Sequence, residues 1–208
     1  MANDNSPRGL VPLNWPKMPV HYYKVDTAAD IFLGEPVVLA ASGFVVAGSI
    51  TGYIQYLGVA VGFAGVNKAG IAADAPFLDV SAINPSRDGV GDRWIAIADD
   101  PQQEFVIQED TGGTALVQAD AGAAVDLIYR GGTGTVRAGD ANTGWASLEI
   151  DASTVVVTAS SPFQLLRFHD IGNTDGTNNG TGDFAKWIVR ILNHQKNGLG
   201  IPIPGPIV

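Results

Sequence analysis

Short apolar runs, interrupted by Gly, Pro, Asn or Asp about every ten residues, limit what this chain can fold into more than any other feature. This spacing is typical of the short strands of a sandwich or barrel, because each turn residue ends a run before a long helix can develop. Glycine supplies 26 of the 208 residues, well above its usual share of about 7%. The sequence therefore predicts an all-β body, sandwich or barrel-like, with short strands and at most one or two short helices.

Individual runs support this prediction. Residues 37–40 and 44–47 flank a three-residue loop and predict a hairpin. Residues 56–63 alternate large side chains with glycine, which predicts a bent strand with close backbone approach. A turn or two of helix is expected within 114–125, whereas the β-branched residues of 186–192 favour a strand over the helix that its spacing also fits. Further strands are predicted at 94–98, 104–108, 125–129, 147–150, 163–169 and 186–193.

The two ends of the chain differ from the body in composition. Residues 1–24 contain four prolines among apolar residues, and residues 198–208 alternate Ile with Pro, which disfavours both helices and central strands. We therefore expect an extended N-terminal arm (1–24), a β-rich body (25–197) and an extended C-terminal arm (198–208). Apolar arms either fold back on their own domain or bind a neighbour, and the sequence leaves both outcomes open. The candidate neighbour-binding residues are Leu10, Val11, Leu13, Trp15, Tyr22, Tyr23, Ile201, Ile203 and Ile207.

Charge and composition argue against several classes of partner. Twelve Lys and Arg residues against 21 Asp and Glu residues give a net charge of −9, and the basic residues are scattered, so nucleic-acid binding is disfavoured. No run of 18 apolar residues and no signal-peptide pattern is visible, so we expect a soluble, unsecreted protein with no membrane partner. The absence of cysteine excludes disulfides, thiol catalysis and thiolate metal sites.

The sequence predicts no metal and no cofactor. His21, His169 and His194 do not show the spacing of a zinc motif, and we expect them to be structural histidines. The polar residues 172–183 resemble a calcium loop in composition, but their spacing does not match the ligand positions of an EF-hand. We interpret them as a plain surface loop, with an ion as the alternative.

No enzymatic activity is expected either. The segment 48–52 has the glycine spacing of a hydrolase nucleophile elbow, but Ile50 stands where the serine would be. On a strand, Glu104 and Asp110 would be roughly 20 Å apart, too far for a glycosidase pair. We therefore interpret the acidic residues of 99–104 and 109–110 as a solvated face, with Phe105 and Ile107 buried between them.

Six segments, which together span nearly the whole chain, have a sequence pattern that is similar to that of a known protein family. They read MANDNSPRGLVPL, VDTAADIFLGEPVVLAASG, YLGVAVGF, IADDPQQEFVIQED, LEIDASTVVVTASSPFQLLRFHDI and WIVRILNHQ. In overall pattern the chain resembles a family of structural proteins of tailed bacteriophages that decorate or cement the capsid. None of the segments is a catalytic motif, and residues 65–92 carry little of the resemblance.

The resemblance implies a β-rich body on the outer surface of a mature virion head, assembled in the host cytoplasm. It implies a homotrimer at three-fold or quasi-three-fold positions that binds the major capsid protein and stabilises contacts between its subunits. The N-terminal arm would be the main capsid-binding segment, and the C-terminal arm would contact trimer mates or neighbours. The alternative is a tail or fibre module that binds host surface glycans through aromatic side chains such as Tyr22 and Tyr23.

Overall fold

Antiparallel β-strands form almost all of the regular structure in the part of the chain that the computed structural model describes. That part comprises residues 7–14, 16–25, 31–50, 54–64, 77–78, 94–112, 114–130, 139, 144–155, 161–169 and 184–196. Its helical elements are two three-residue 3₁₀ turns, Gln118–Asp120 and Ala152–Thr154. The predicted all-β class is therefore confirmed.

Fourteen strands lie within these residues, and most contain five residues or fewer. Within the described ranges, no helix has the length and apolar content needed to cross a bilayer. In chain order the strands are β1 Val11–Pro12, β2 His21–Lys24, β3 Ile31–Phe32, β4 Pro36–Leu39, β5 Val45–Ala47, β6 Gly58–Ala64, β7 Phe77–Leu78, β8 Trp94–Ala98, β9 Glu104–Gln108, β10 Ala124–Val125, β11 Leu127–Tyr129, β12 Leu148–Ile150, β13 Phe163–Phe168 and β14 Lys186–Ile191.

Most of the strand predictions are confirmed. β4 and β5 form the expected hairpin, whose loop ends at Gly43 with a φ of +80°. β8 and β9 have the predicted bounds, and β14 is a strand rather than a helix. The predicted strand at 125–129 is instead two strands that belong to different sheets. The break falls at Asp126, because its backbone N–H donates to the Thr154 hydroxyl at 3.0 Å instead of to a neighbouring strand.

The first five-stranded sheet has the order β1-β9-β14-β13-β10, and all of its neighbours are antiparallel. Alternate residues of its central strands point to opposite faces, as the pleat requires. Phe105 and Ile107 of β9 are buried, as predicted from the sequence, together with Trp187 and Val189 of β14. This face of the first sheet therefore forms one wall of the main hydrophobic core.

The second five-stranded sheet, with the order β2-β8-β6-β4-β5, curls into a small barrel. A parallel bridge between Val25, next to β2, and Val45 of β5 joins its two edges. The predicted close backbone approach in β6 is confirmed at Gly58, where a Cβ atom would lie 2.2 Å from the Ala98 carbonyl oxygen. The barrel encloses a cluster of buried apolar residues: Val25, Ile31, Val37, Val45, Leu57, Ala60, Phe63, Ile95 and Ile97.

The main core lies between the outer face of this barrel and the first sheet. Val59 and Val61 of β6 and Ala96 and Ala98 of β8 belong to the same buried cluster as the inner residues of the first sheet. Tyr56, just before β6, packs against Phe163 of β13, and their ring centroids are 5.2 Å apart. The body thus combines the two predicted architectures, because a barrel packs against a sheet as the layers of a sandwich do.

The described N-terminal residues fold back on the body, which was one of the two outcomes left open by the sequence. Leu10 has no exposed surface, β1 pairs with β9, and β2 pairs with β8. The segment is fixed at a close crossing, where the Leu10 N–H donates to the Gly34 carbonyl oxygen at 2.9 Å. Residues 7–14 and 16–25 are therefore part of the body. The C-terminal arm, 198–208, lies outside the described residues.

Candidate functional site

The predicted neighbour-binding residues occupy different environments. Leu10 is completely buried in the core of its own body and has no surface to offer a neighbour. Val11 and Leu13 are half-buried on the outer face of the first sheet, and Tyr22 is 47% exposed on β2. Tyr23 is half-buried and donates a hydrogen bond to Asp99. The remaining residues of the prediction lie outside the described part of the chain: Trp15, Ile201, Ile203 and Ile207.

Val11 and Leu13 line a groove of about 470 Å³ on the outer face of the first sheet. The groove lies between the N-terminal segment and β9, and Val106 contributes to its apolar floor. Below we call it the β1–β9 groove. Its polar lining residues are Arg8, Gln108, His169 and Lys186.

Strand register explains why these residues share one face. Val11 is paired with Val106, and Val106 is paired in turn with Ile188, so the three form a row across β1, β9 and β14. Gln108 and Lys186 form the next row, which His169 extends because its N–H donates to the Lys186 carbonyl at 2.9 Å. Residues that are directly opposite in antiparallel strands project to the same side. An apolar row thus lies beside a polar row that carries two basic side chains.

The outer edge of β1 is closed to a further strand. The Leu13 N–H donates to the Glu104 carbonyl at 3.0 Å, so the backbone groups of Val11 and Leu13 face β9. The residue between them, Pro12, has no N–H to offer on the opposite side. The N–H of Leu10, two residues earlier in the chain, donates to the Gly34 carbonyl oxygen and is not available either. Another strand added at this edge would therefore find no free backbone donor at Leu10 or Pro12.

The β1–β9 groove has basic residues at its rim, and no acidic residue is among its described lining. Glu104 lies on the same face but forms an ion pair with Arg167, at 2.7 Å between Oε2 and the guanidinium. Glu149 lies behind Gln108, whose amide donates to it at 2.8 Å, and it is almost completely buried. Burial raises the pKa of Glu149 and so favours its neutral form.

A second group of polar side chains surrounds Asp99, at the end of β8. The imidazole of His21 lies 2.7 Å from one carboxylate oxygen, and Tyr23 and Lys196 both donate to the other. His21 and Tyr23 are paired with Ile97 and Ile95 and share their face, so the group lies at one end of the barrel interior. It links β2 to the chain beyond β14.

Electrostatics hold the Asp99 carboxylate in its charged form. Burial disfavours the charge, but the hydrogen bonds from Lys196, Tyr23 and His21 outweigh it and lower the pKa of Asp99. The buried His194 accepts a hydrogen bond at Nδ1 from the Lys196 N–H at 3.0 Å, which places its proton on Nε2. Burial lowers the pKa of His194, so this imidazole is neutral at pH 7. The arrangement holds two parts of the chain together and presents no activated nucleophile.

Replacing Asp99 with asparagine is expected to destabilise the body by about 2 kcal/mol at pH 7, because hydrogen bonds to a charged group are stronger than those to an amide. The folded-state pKa of Asp99 lies below the ordinary value of 3.8 for an aspartate, so its stabilisation is fully present above pH 3.8 and is lost as the pH falls through the folded-state value. Thermal unfolding of both proteins from pH 7 to pH 2.5 measures this. A stability difference between them that stays constant over that range would contradict the assignment.

Two buried carboxylates, Glu109 and Asp99, correct the prediction of a solvated acidic face. Glu104 is half-exposed, as expected, but Glu109 has no exposed surface and accepts a hydrogen bond from the Trp187 indole N–H at 2.8 Å. Asp99 is also buried rather than solvated. Glu35, which directly precedes β4, is fully buried as well and accepts a hydrogen bond from the Tyr129 hydroxyl at 2.5 Å. Each buried carboxylate has a polar partner, which limits the cost of removing it from water.

The strand pattern contained a signal for Glu109. Phe105, Ile107 and Glu109 are two residues apart, so the alternation that buries the first two also turns the third inward. Asp99 follows Ile95 and Ile97 in the same way. Their partners, Trp187 and Lys196, come from distant parts of the chain and have no such signal.

Among the described residues, no group of three or more His, Asp or Glu side chains is placed to hold a metal ion. Comparison of the chain with protein-family models, with curated proteins and with solved structures finds no match.

Proposed function

We propose that this protein decorates the head of a tailed bacteriophage. In this proposal it binds the outer surface of the mature capsid as a homotrimer at three-fold or quasi-three-fold positions, and it stabilises contacts between major capsid subunits. It acts as a structural protein and catalyses no reaction.

The observation that carries the proposal is where the family-like segments lie in the fold. YLGVAVGF covers most of β6 and the residues before it, IADDPQQEFVIQED runs from β8 through β9, and WIVRILNHQ contains most of β14. These strands are central or next to central in the two five-stranded sheets. The resemblance therefore involves the framework of the body rather than a single surface loop, which supports a comparison of whole folds.

The described surface also suits a binding role. Val11 and Leu13 remain partly accessible at the β1–β9 groove, and Tyr22 projects from β2 with 47% of its surface accessible. All three were among the predicted neighbour-binding residues. Apolar and aromatic side chains that stay accessible on an otherwise polar surface favour contact with another protein.

Each contact with the shell can be modest under this proposal. A subunit that is held in a lattice by one contact presents its other binding surfaces at high effective concentration, so weak interactions reinforce one another. The absence of cysteine also makes the body insensitive to the change in redox conditions between the host and the medium.

Binding stoichiometry tests the proposal. Purified protein is added to emptied, expanded heads of the parent virus, and the bound copies per particle are quantified by densitometry and cryo-electron microscopy. We expect on the order of several hundred copies per head, in a fixed ratio to the major capsid protein, because trimers at three-fold positions repeat with the shell symmetry. Unexpanded heads serve as the control and should bind fewer copies.

Other stoichiometries would contradict the proposal in different ways. A dozen copies or fewer would place the protein at the portal, the vertices or the tail. No binding to heads, together with binding to a glycan array, would support the alternative of a tail or fibre module that recognises host glycans.

A further inference from the structure

We propose that the β1–β9 groove binds an extended segment of the major capsid protein in which apolar residues flank a carboxylate side chain. This inference rests on the proposed function and identifies the part of the body that contacts the shell. It also states the chemistry of the segment that is bound.

The apolar part of the inference follows from the groove floor. Val11, Leu13 and Val106 are each only partly buried, so part of their apolar surface is still in contact with water. The volume of about 470 Å³ lies within the range of about 300 to 1,000 Å³ that is usual for ligand sites. Apolar side chains that fill this volume would remove the floor from water, which is the main favourable contribution to such binding.

The carboxylate follows from charge complementarity. The whole chain carries 12 basic and 21 acidic residues, yet the exposed Arg8 lies in the described lining of the groove and no acidic residue does. A positive charge at this position on an acidic protein favours a negatively charged ligand group. The exposed guanidinium of Arg8 can donate two parallel hydrogen bonds to a carboxylate, which fixes the orientation of the ligand.

The closed edge of β1 determines how the segment is bound. Because Pro12 has no N–H and the Leu10 N–H is bonded to Gly34, the segment does not extend the first sheet as another strand. It lies across the outer face of β1 and β9 instead, with its carboxylate toward the exposed guanidinium of Arg8. Specificity therefore depends on side chains of the groove and is open to test by substitution.

Reversal of the charge of Arg8 tests whether the groove recognises a carboxylate. We expect Arg8→Glu to weaken binding to expanded heads at least about tenfold, since like charges then face each other across the interface. The matched control is Lys24→Glu, which makes the same charge change at an exposed position on β2 of the barrel, outside the groove, and should leave affinity within about twofold. Binding of the wild-type protein should weaken with added salt, and binding of Arg8→Glu should depend on salt less.

A nearly isosteric substitution in the floor tests the apolar part without altering charge. We expect Val106→Thr to weaken binding by about threefold to tenfold, because a hydroxyl replaces a methyl group that the ligand would cover. Val46→Thr is the control, since Val46 is also a half-buried strand residue but lies on β5 of the barrel, outside the groove. Unfolding midpoints of all four variants show whether the body is intact.

The outcomes distinguish failure of the groove assignment from failure of the proposed function. Wild-type binding that neither Arg8→Glu nor Val106→Thr weakens would overturn the groove assignment and leave the decoration role standing. Equal weakening by a groove variant and its control would overturn it too, since the effect would then not be local. If the wild-type protein does not bind heads at all, the proposed function fails and the capsid segment fails as the occupant.

Discussion

Replacement of Gly34 by alanine is expected to lower the free energy of unfolding by about 3 to 5 kcal/mol, a large part of the stability of a typical domain. Two effects add at this position. Gly34 has a φ of +79°, which L-residues rarely adopt, and an added Cβ atom would lie 2.3 Å from the Arg8 carbonyl oxygen. The backbone of residues 8–10 would have to move away, which would loosen β1 and expose Leu10. Urea denaturation followed by circular dichroism measures the loss.

Gly43 provides a matched control, since the same substitution there separates the two effects. It has nearly the same φ, +80°, in the loop of the β4–β5 hairpin, but no atom lies within 4 Å of its added Cβ. Gly43→Ala should therefore show only the backbone cost of about 1 to 2 kcal/mol. Equal losses for the two variants would contradict the close crossing of the N-terminal segment over Gly34.

Truncation of Trp187 to alanine should also cost about 3 to 5 kcal/mol, the range for removing a buried aromatic side chain from a core. Trp187 is fully buried on the central strand β14, where its ring meets that of Phe168 edge to face at 5.4 Å between centroids. The cavity would lie in the middle of the main core. The truncated protein would also lose the hydrogen bond that the indole donates to the buried Glu109.

A second substitution at Trp187 removes the hydrogen-bond donor with a smaller loss of core volume. Trp187→Phe keeps an aromatic ring but removes the donor, and we expect it to cost about 1 to 3 kcal/mol because a buried carboxylate loses a partner. Trp94→Phe is the control, since Trp94 is half-buried and its ring faces Lys24, at 5.6 Å from Nζ to the centroid. It should cost less than about 1 kcal/mol. Equal costs for the two phenylalanine variants would show that the hydrogen bond to Glu109 contributes little.

Local sequence patterns were sufficient to predict most strands, because the signals for a turn and for alternation lie within ten residues. The hairpin of β4 and β5 and the burial of Phe105 and Ile107 are examples. The alternation that buries these two residues extends to Glu109, but the usual exposure of acidic residues outweighed it in our interpretation. The hydrogen bond from Trp187, a residue distant in sequence, helps to stabilise a carboxylate at that position.

Long-range pairing could not be predicted. The proline-rich composition of residues 7–14 indicates an extended chain, and it fits a free arm as well as the edge strand that the structure shows. The choice depends on β9, whose Val106 pairs with Val11 across 95 positions of sequence. The β1–β9 groove depends on the same pairing, since it brings the N-terminal residues beside Gln108 and Lys186. Its apolar residues could be predicted individually, but their assembly into one surface could not.

The order of strands in the first sheet has a consequence for synthesis of the protein. β14 lies between β9 and β13, so a nascent chain cannot complete this sheet until Ile191 has left the ribosome. At about 5 to 20 residues per second, the earlier strands remain without their final partners for several seconds. Completion of the first sheet therefore comes at the end of synthesis, and its non-local contacts make it slow compared with the folding of a helical bundle. The strands of the barrel all lie before residue 99 and can pair earlier, whereas a chain that terminates before β14 lacks the strand that joins β9 to β13.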